Sequence, residues 1–270
     1  MGSDTRTTVT EQVLFGRADL IPDRTRPTGW TVAVDGVSQS YVDTLDPTFL
    51  RVPYTRWMGA LIDHHWPAGP VDAVHVGGGA LTLPRYVGAT RPGSRQTVFE
   101  LDGPLVEFVS RHLPVPDVEV VVGDGAAGLL TVEGADLVVL DVFRGGAVTT
   151  ELLTVPYLHE AAPRVAPSGL LLANLWDGPD LTFTGHAVAA LDAAFAHVTL
   201  FAEAAVFLGS RPGSVVVAAS HGPLAAQTWT TTPKAFGLTA PQLTGLRGPK
   251  TPLTTTNPVQ PSATVQPWPR

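Results

Sequence analysis

Four short clusters along this 270-residue chain bring together residue types that bind polar ligands or move protons. The first is Gly77-Gly78-Gly79, directly after the apolar run VDAVHV at 71–76. Glycines after a strand let the backbone turn tightly and bring its N–H groups close to a ligand. The run is not GxGxxG, because Thr82 stands where the third glycine would fall, so a standard dinucleotide site is not indicated. The second is Glu100, near the end of QTVFELD (96–102) and 21 residues after Gly79. A carboxylate offers acceptors only, which suits the two donors of a ribose diol. Asp102 is its neighbouring competitor. The third is Gly123-Asp124-Gly125, after VEVVV, where Asp124 is placed to accept from an adenine amino group and Gly125 lets the backbone close over a ring. The fourth is Asp141, which closes ADLVVLD (135–141) and could orient an amine or take its proton. Each cluster has a plainer reading: a glycine turn, a solvated acidic loop, a second turn, a strand-end cap. Their phase argues for function, because all four fall at the ends of successive strands, the edge where open parallel sheets bind ligands.

Other chemistries find little support. The chain has no cysteine, which removes disulfides, thiolate nucleophiles and Cys-ligated metals. His64 and His65 are adjacent and point in different directions on a helix, His75 sits in the strand before the glycines, and no HExxH spacing occurs, so no metal site is expected. Ser168 and Ser220 lack a nucleophile elbow. With 17 Lys and Arg against 24 Asp and Glu, and no basic cluster, a nucleic-acid partner is disfavoured. No segment approaches the roughly 18 continuous apolar residues of a membrane span. The polar start has no apolar signal core, so a cytoplasmic protein without a membrane partner is expected.

The elements that must position these residues follow from periodicity. Residues 11–50 alternate and turn at Asp35-Gly36, which predicts a small antiparallel β unit over 1–53. Residues 54–66 place Trp57, Leu61, Ile62 and Trp66 at helical spacing, so both tryptophans are read as core. From 71 onward strands alternate with helices: strands at 71–76, 96–102, 118–124, 135–143 and 169–175, and helices at 104–113, 149–165 and 186–198. Nearly continuous apolar strand interiors predict an α/β fold with a mainly parallel sheet covered on both faces. Runs at 198–203, 205–210 and 214–220 are too close for helical crossovers and predict a terminal antiparallel hairpin at the sheet edge. The main domain is read as 54–222. Residues 223–270 are a Thr/Pro-rich extension, expected to be partly disordered, with short turns at PKAFGL and PQLTGL.

Taken together, DGVSQSYVD, HVGGGALTLPRY, FELDGPLVEFVSRHLP, VVVGDG and DLVVLDVF make residues 31–221 resemble the spermidine synthase family, aminopropyltransferases on the class I methyltransferase (Rossmann-like) fold. The resemblance implies a small N-terminal β domain before a Rossmann-like domain, a homodimer, and transfer of an aminopropyl group from decarboxylated S-adenosylmethionine to an amine, a step of polyamine biosynthesis. By position it implies that Gln39 contacts the cosubstrate and that Gly77, Gly78 and Gly79 form its loop. Glu100 would hold the ribose, Asp124 with Gly125 the adenine, Tyr54 would stand near the amine channel, and Asp141 would take the proton of the attacking amine. Two positions depart from the family pattern. The family loop reads Gly-Gly-Gly-Asp-Gly-Gly, and its aspartate helps hold the aminopropyl ammonium; here Ala80 stands in that place. After the fourth strand the family reads Asp-Ser-Ser-Asp-Pro, with the second aspartate on the acceptor amine; here that position is Arg144, which repels an ammonium. Three readings stay open: an aminopropyltransferase-like enzyme, a methyltransferase using intact S-adenosylmethionine, and a non-catalytic binding protein that keeps the fold.

Overall fold

A computed structural model describes residues 6–224 and 235–265. Four strands open the chain: β1 (Val9–Val13), β2 (Gly16–Pro22), β3 (Gly29–Val34) and β4 (Val37–Asp43). They form an antiparallel meander in sequence order. Asp35 and Gly36 both take positive φ, 47° and 79°, and connect paired Val34 and Val37 as the Asp-Gly signal predicts. Alternation puts Val13, Ala18, Leu20, Val32 and Val42 on one face, which packs on Leu105, Phe108, Val109 and Leu113 of the main domain. The small sheet therefore borrows half of its core.

Helix α1 (Pro53–His65) begins with proline in its first turn, where the missing N–H costs nothing. It buries Trp57, Met58, Leu61 and Ile62 against one face of the large sheet. Next come β5 (Asp72–Val76), α2 (Thr82–Thr90), β6 (Arg95–Glu100), α3 (Gly103–His112), β7 (Glu119–Val122), α4 (Gly125–Leu130) and β8 (Ala135–Leu140). A two-stranded hairpin, β9 (Phe143–Arg144) and β10 (Ala147–Val148), leads to α5 (Val155–Ala161) and the long strand β11 (Val165–Asp177). Then follow α6 (Thr182–Ala194), β12 (His197–Glu203), α7 (Ala204–Phe207), β13 (Gly213–Ser220), β14 (Ala235–Thr239) and α8 (Ala240–Arg247).

The eight-stranded sheet runs β14-β12-β13-β11-β8-β5-β6-β7. Its β11-β8-β5-β6-β7 part is parallel, while β13, β12 and β14 pair antiparallel. Strand alternation sends Leu137, Val139, Leu170 and Leu172 into the core under α1 and α2. It sends Val138, Leu140, Leu171 and Ala173 into the larger core under α5 and α6. Full burial of a Leu or Val side chain stabilises by about 1.5–3 kcal/mol, so both faces must be covered.

Several sequence expectations change. Residues 205–210 form no strand; α7 is a single turn after β12, too short for its periodicity to be read. Residues 149–165 are not one helix, because 3-10 turns at Thr150–Leu153 and Ala162–Arg164 flank α5, and Pro156 lies in its first turn instead of breaking it. The β12–β13 hairpin is not the sheet edge, since β14 pairs outside β12. The Pro167-Ser168-Gly169 turn lies inside β11 as a register shift between Val165 and Leu170. The described part of PKAFGL lies in β14 and PQLTGL in α8, in place of turns, and α8 starts on a capping box between Thr239 and Gln242. Over the described residues 249–265 an isolated bridge joins Thr254 and Asn257, and Leu253 is buried, its carbonyl accepting from Val155 N at 2.8 Å. Residues 1–5, the stretch 225–234 and the last five residues of the expected tail lie outside the described residues.

Candidate functional site

The carboxyl ends of β5, β6 and β8 meet at Gly77, and the meeting explains the glycine. Gly77 N donates to Phe99 O at 2.9 Å, and Asp141 N donates to Val76 O at 3.0 Å. Gly77 has φ 93°, and a Cβ there would run into the Asp141 carbonyl. Gly79, at φ 49°, leaves no room for a Cβ beside the Ser40 hydroxyl, which accepts from Ala80 N at 3.0 Å. The β4 strand thus pins the loop from the other side.

Glu100 holds the tip of the same loop. Its Oε2 accepts from Gly78 N at 2.8 Å and from Gly79 N at 3.4 Å, and Oε1 accepts from Asp102 N at 2.9 Å. Asp102 is occupied differently. It is buried, caps α3 through Leu105 N at 2.9 Å, and ties down Leu14 N and Phe15 N at 3.1 and 3.2 Å. The two acidic neighbours therefore separate into one residue on the glycine loop and one clamp for the N-terminal sheet. Asp124 caps α4 by accepting from Ala126 N at 2.9 Å, and Gly125 lies too close to the Val76 side chain for any Cβ.

Asp141 is flanked by two side chains. Tyr54 donates its hydroxyl to Oδ2 at 2.9 Å, and Asn174 donates Nδ2 to Oδ1 at 2.9 Å. Burial pushes the Asp141 carboxyl above the usual carboxylate range, partly opposed by these two donors. Burial, and then the neighbouring Asp141 charge, push the Tyr54 hydroxyl well up, so it stays a donor. The Asn174 Oδ1 atom is buried and has no partner among the described residues. Asn174 was not foreseen from sequence; a lone amide inside the apolar run GLLLANL was the signal available.

All of these groups line one cavity of about 640 Å³, together with Gln39, Ser40, Arg144 and Trp176. Gln39 bonds Val37 O at 3.2 Å, and the Arg144 guanidinium carbon lies 5.8 Å from the centre of the Phe15 ring. His75 lies outside the cavity: it is buried, bonds Gln96 at 3.1 Å, and desolvation lowers its pKa to about 4. Among the described residues no three His, Asp or Glu side chains are grouped to hold a metal, and no helix is long and apolar enough to cross a membrane. The cavity's size and polar wall fit a nucleoside: backbone N–H groups on glycines, carboxylates at successive strand ends, and surfaces where a Cβ would intrude.

No protein-family model and no curated protein matches the chain. Solved structures do. A probable spermidine synthase from Corynebacterium glutamicum ATCC 13032 superposes with a TM-score of 0.84 at 25% identity, over 93% of this chain and 97% of that one. A spermidine synthase in complex with the transition-state analogue AdoDATO gives 0.60 at 17% identity, over 79% of this chain and 73% of that one. Human methyltransferase-like protein 13 in complex with SAH gives 0.53 at 18% identity, over 73% and 89%.

Proposed function

We propose that this chain, whose fold is spermidine-synthase-like, is a transferase that takes a nucleoside sulfonium, decarboxylated S-adenosylmethionine or S-adenosylmethionine, and moves the aminopropyl group of the decarboxylated form to an amine. The nucleoside lies over Gly77, Gly78 and Gly79. Glu100 takes the ribose hydroxyls, with the long bond from Gly79 N the one that yields. Asp124 and Gly125 face the adenine, and Gln39 borders the cosubstrate. The carrying observation is Asp141, half-buried at the strand mouth and held between Tyr54 and Asn174. A carboxylate with a raised pKa is a competent proton acceptor for an attacking amine. The sulfonium is already a good leaving group, so most of the acceleration comes from alignment.

The charge of the wall favours the decarboxylated cosubstrate. Asp35, Glu100, Asp102, Asp124, Asp141 and Glu151 line the cavity against a single cation, Arg144. Decarboxylated S-adenosylmethionine carries two positive charges and no carboxylate, so an acidic wall favours it over the intact form. One observation favours methyl transfer as a second reading: Ala80 is fully buried and offers no carboxylate to an aminopropyl ammonium. Supplying both cosubstrates with a panel of amines and identifying the nucleoside product by mass decides between them. Methylthioadenosine supports aminopropyl transfer, and S-adenosylhomocysteine alone refutes it.

A further inference from the structure

Resting on this transfer reading, we propose that the acceptor carries an anionic group, a carboxylate or a phosphate, held by Arg144 and Trp176 while its amine faces Asp141.

The polar groups of the cavity divide into those the protein already uses and those left over. Most of its carboxylates are engaged by protein donors. Asp35 accepts from Arg17 N at 2.9 Å, and Asp124 from Ala126 N at 2.9 Å. Glu100 and Asp102 hold backbone N–H groups, and Asp141 holds Tyr54 and Asn174. Arg144 and Trp176 are left over, as is the buried Thr149 hydroxyl next to the Arg144 hairpin. Arg144 is the one cation on the cavity wall, and among the described residues no carboxylate pairs with it. Trp176 follows Asn174 by two residues on β11, so both side chains leave the same face of the strand. The Trp176 indole Nε1 is shielded from solvent and has no acceptor among the described residues. A buried donor without a partner is costly, and a ligand oxygen removes that cost.

Chain connectivity holds the Arg144 hairpin near the strand end that carries Trp176. Arg144 and Ala147 pair across a hairpin turned by Gly145 and Gly146, at φ 58° and 78°. The Gly146 carbonyl accepts from Val265 N at 2.9 Å. Three residues earlier, Ser262 donates both N and Oγ to Asp177 Oδ1 at 3.2 Å. Asp177 directly follows Trp176. A three-residue span covers at most about 10 Å, so this C-terminal strap ties the Arg144 hairpin to the strand end that carries Trp176. Val265 itself lines the cavity.

An acceptor with a second ammonium meets Arg144 as a like charge. Glu151, exposed on the same wall, is the alternative seat for such a diamine. In the transfer step the neutral amine nitrogen forms a bond to the carbon next to the sulfonium. The C–S bond breaks with its electron pair going to sulfur, which leaves as the neutral thioether. The nitrogen's proton passes to the Asp141 carboxylate. The anionic group takes no part in bond making; it fixes the amine at the right distance.

The test uses the whole chain with saturating decarboxylated S-adenosylmethionine and reads methylthioadenosine release. The acceptors are 4-aminobutanoate, 2-aminoethyl phosphate and 1,4-diaminobutane. The expected result is a kcat/KM at least about tenfold higher for one of the two anionic amines than for the diamine, and the better of them identifies the group. Arg144→Ala lowers that ratio by about tenfold, and Trp176→Phe lowers it by about threefold, with the nucleoside Kd unchanged in both. A wild-type preference for the diamine overturns the assignment, as does an Arg144→Ala ratio equal to wild type. Weakened binding of intact S-adenosylmethionine to Arg144→Ala, with the acceptor ratio unmoved, overturns it too, because the anion held is then the cosubstrate's own carboxylate. Release with the diamine alone overturns this assignment but leaves aminopropyl transfer standing. No methylthioadenosine with any amine, although the nucleoside binds, overturns the transfer reading and this assignment with it.

Discussion

The Tyr54 hydroxyl donates to Asp141 Oδ2 across 2.9 Å, joining the start of α1 to the mouth of β8. This contact fixes the carboxylate from α1, while Asn174 fixes its other oxygen from β11 at 2.9 Å. Three elements distant in sequence thus agree on one orientation for one carboxylate.

Replacing that carboxylate separates activity from stability. Asp141→Asn keeps the shape and removes the proton acceptor, so kcat falls by about 100-fold or more. Burial raises the Asp141 pKa in the folded state. Its contribution to stability is therefore present at low pH and lost as pH rises through the raised pKa. The variant escapes that loss, and thermal unfolding at pH 7 should show a melting temperature equal to or above wild type. A clear fall would mean that the carboxylate is structural.

The pH dependence of kcat/KM tests the same group differently. Activity rises with pH as Asp141 loses its proton, along a limb placed above the ordinary carboxylate range by burial. Asn174 and Tyr54 each donate to the ionised form and so lower the pKa. Asn174→Leu and Tyr54→Phe should both move the acidic limb to higher pH. A limb that stays in place in both variants assigns the titration to another residue.

Glu100 and Asp102 should fail in different ways. Glu100→Gln keeps the side chain's size but replaces an acceptor with a donor facing Gly78 N–H and the nucleoside. Its nucleoside Kd should rise by about tenfold. Asp102→Ala removes the α3 cap and the clamp on Leu14 and Phe15, so its main effect is a lower melting temperature, since losing a cap costs about 0.5–2 kcal/mol. Equal effects on nucleoside affinity would remove the distinction.

The C-terminal strap offers a probe far from the nucleoside. Ser262 Oγ bonds Asp177 at 3.2 Å and Asp180 at 2.7 Å. Ser262→Ala should raise the acceptor KM by about threefold, the worth of one ordinary hydrogen bond, and leave nucleoside affinity unchanged. A change in nucleoside affinity instead would place the strap's influence at the other end of the cavity.

What was legible in the sequence were the places where few residue types can stand. Gly77, Gly79 and Gly125 are forced by backbone or side-chain crowding, and the apolar strands announce themselves by composition. Glu100, Asp124 and Asp141 were legible by their phase at successive strand ends. Asn174 and Trp176 were not, because a single polar or aromatic residue in a buried strand carries no period. The strap was invisible for a related reason: its anchors are mostly backbone groups, such as Val265 N on Gly146 O and the Leu253 carbonyl, which leave no side-chain pattern. The run at 205–210 misled because a one-turn helix and a short strand look alike in an apolar stretch.

Calorimetric binding of decarboxylated against intact S-adenosylmethionine measures which cosubstrate this cavity takes. The acid-lined cavity predicts that the decarboxylated form binds at least about tenfold more tightly, a difference of about 1.4 kcal/mol. Tighter binding of the intact form, or binding of neither, would contradict it.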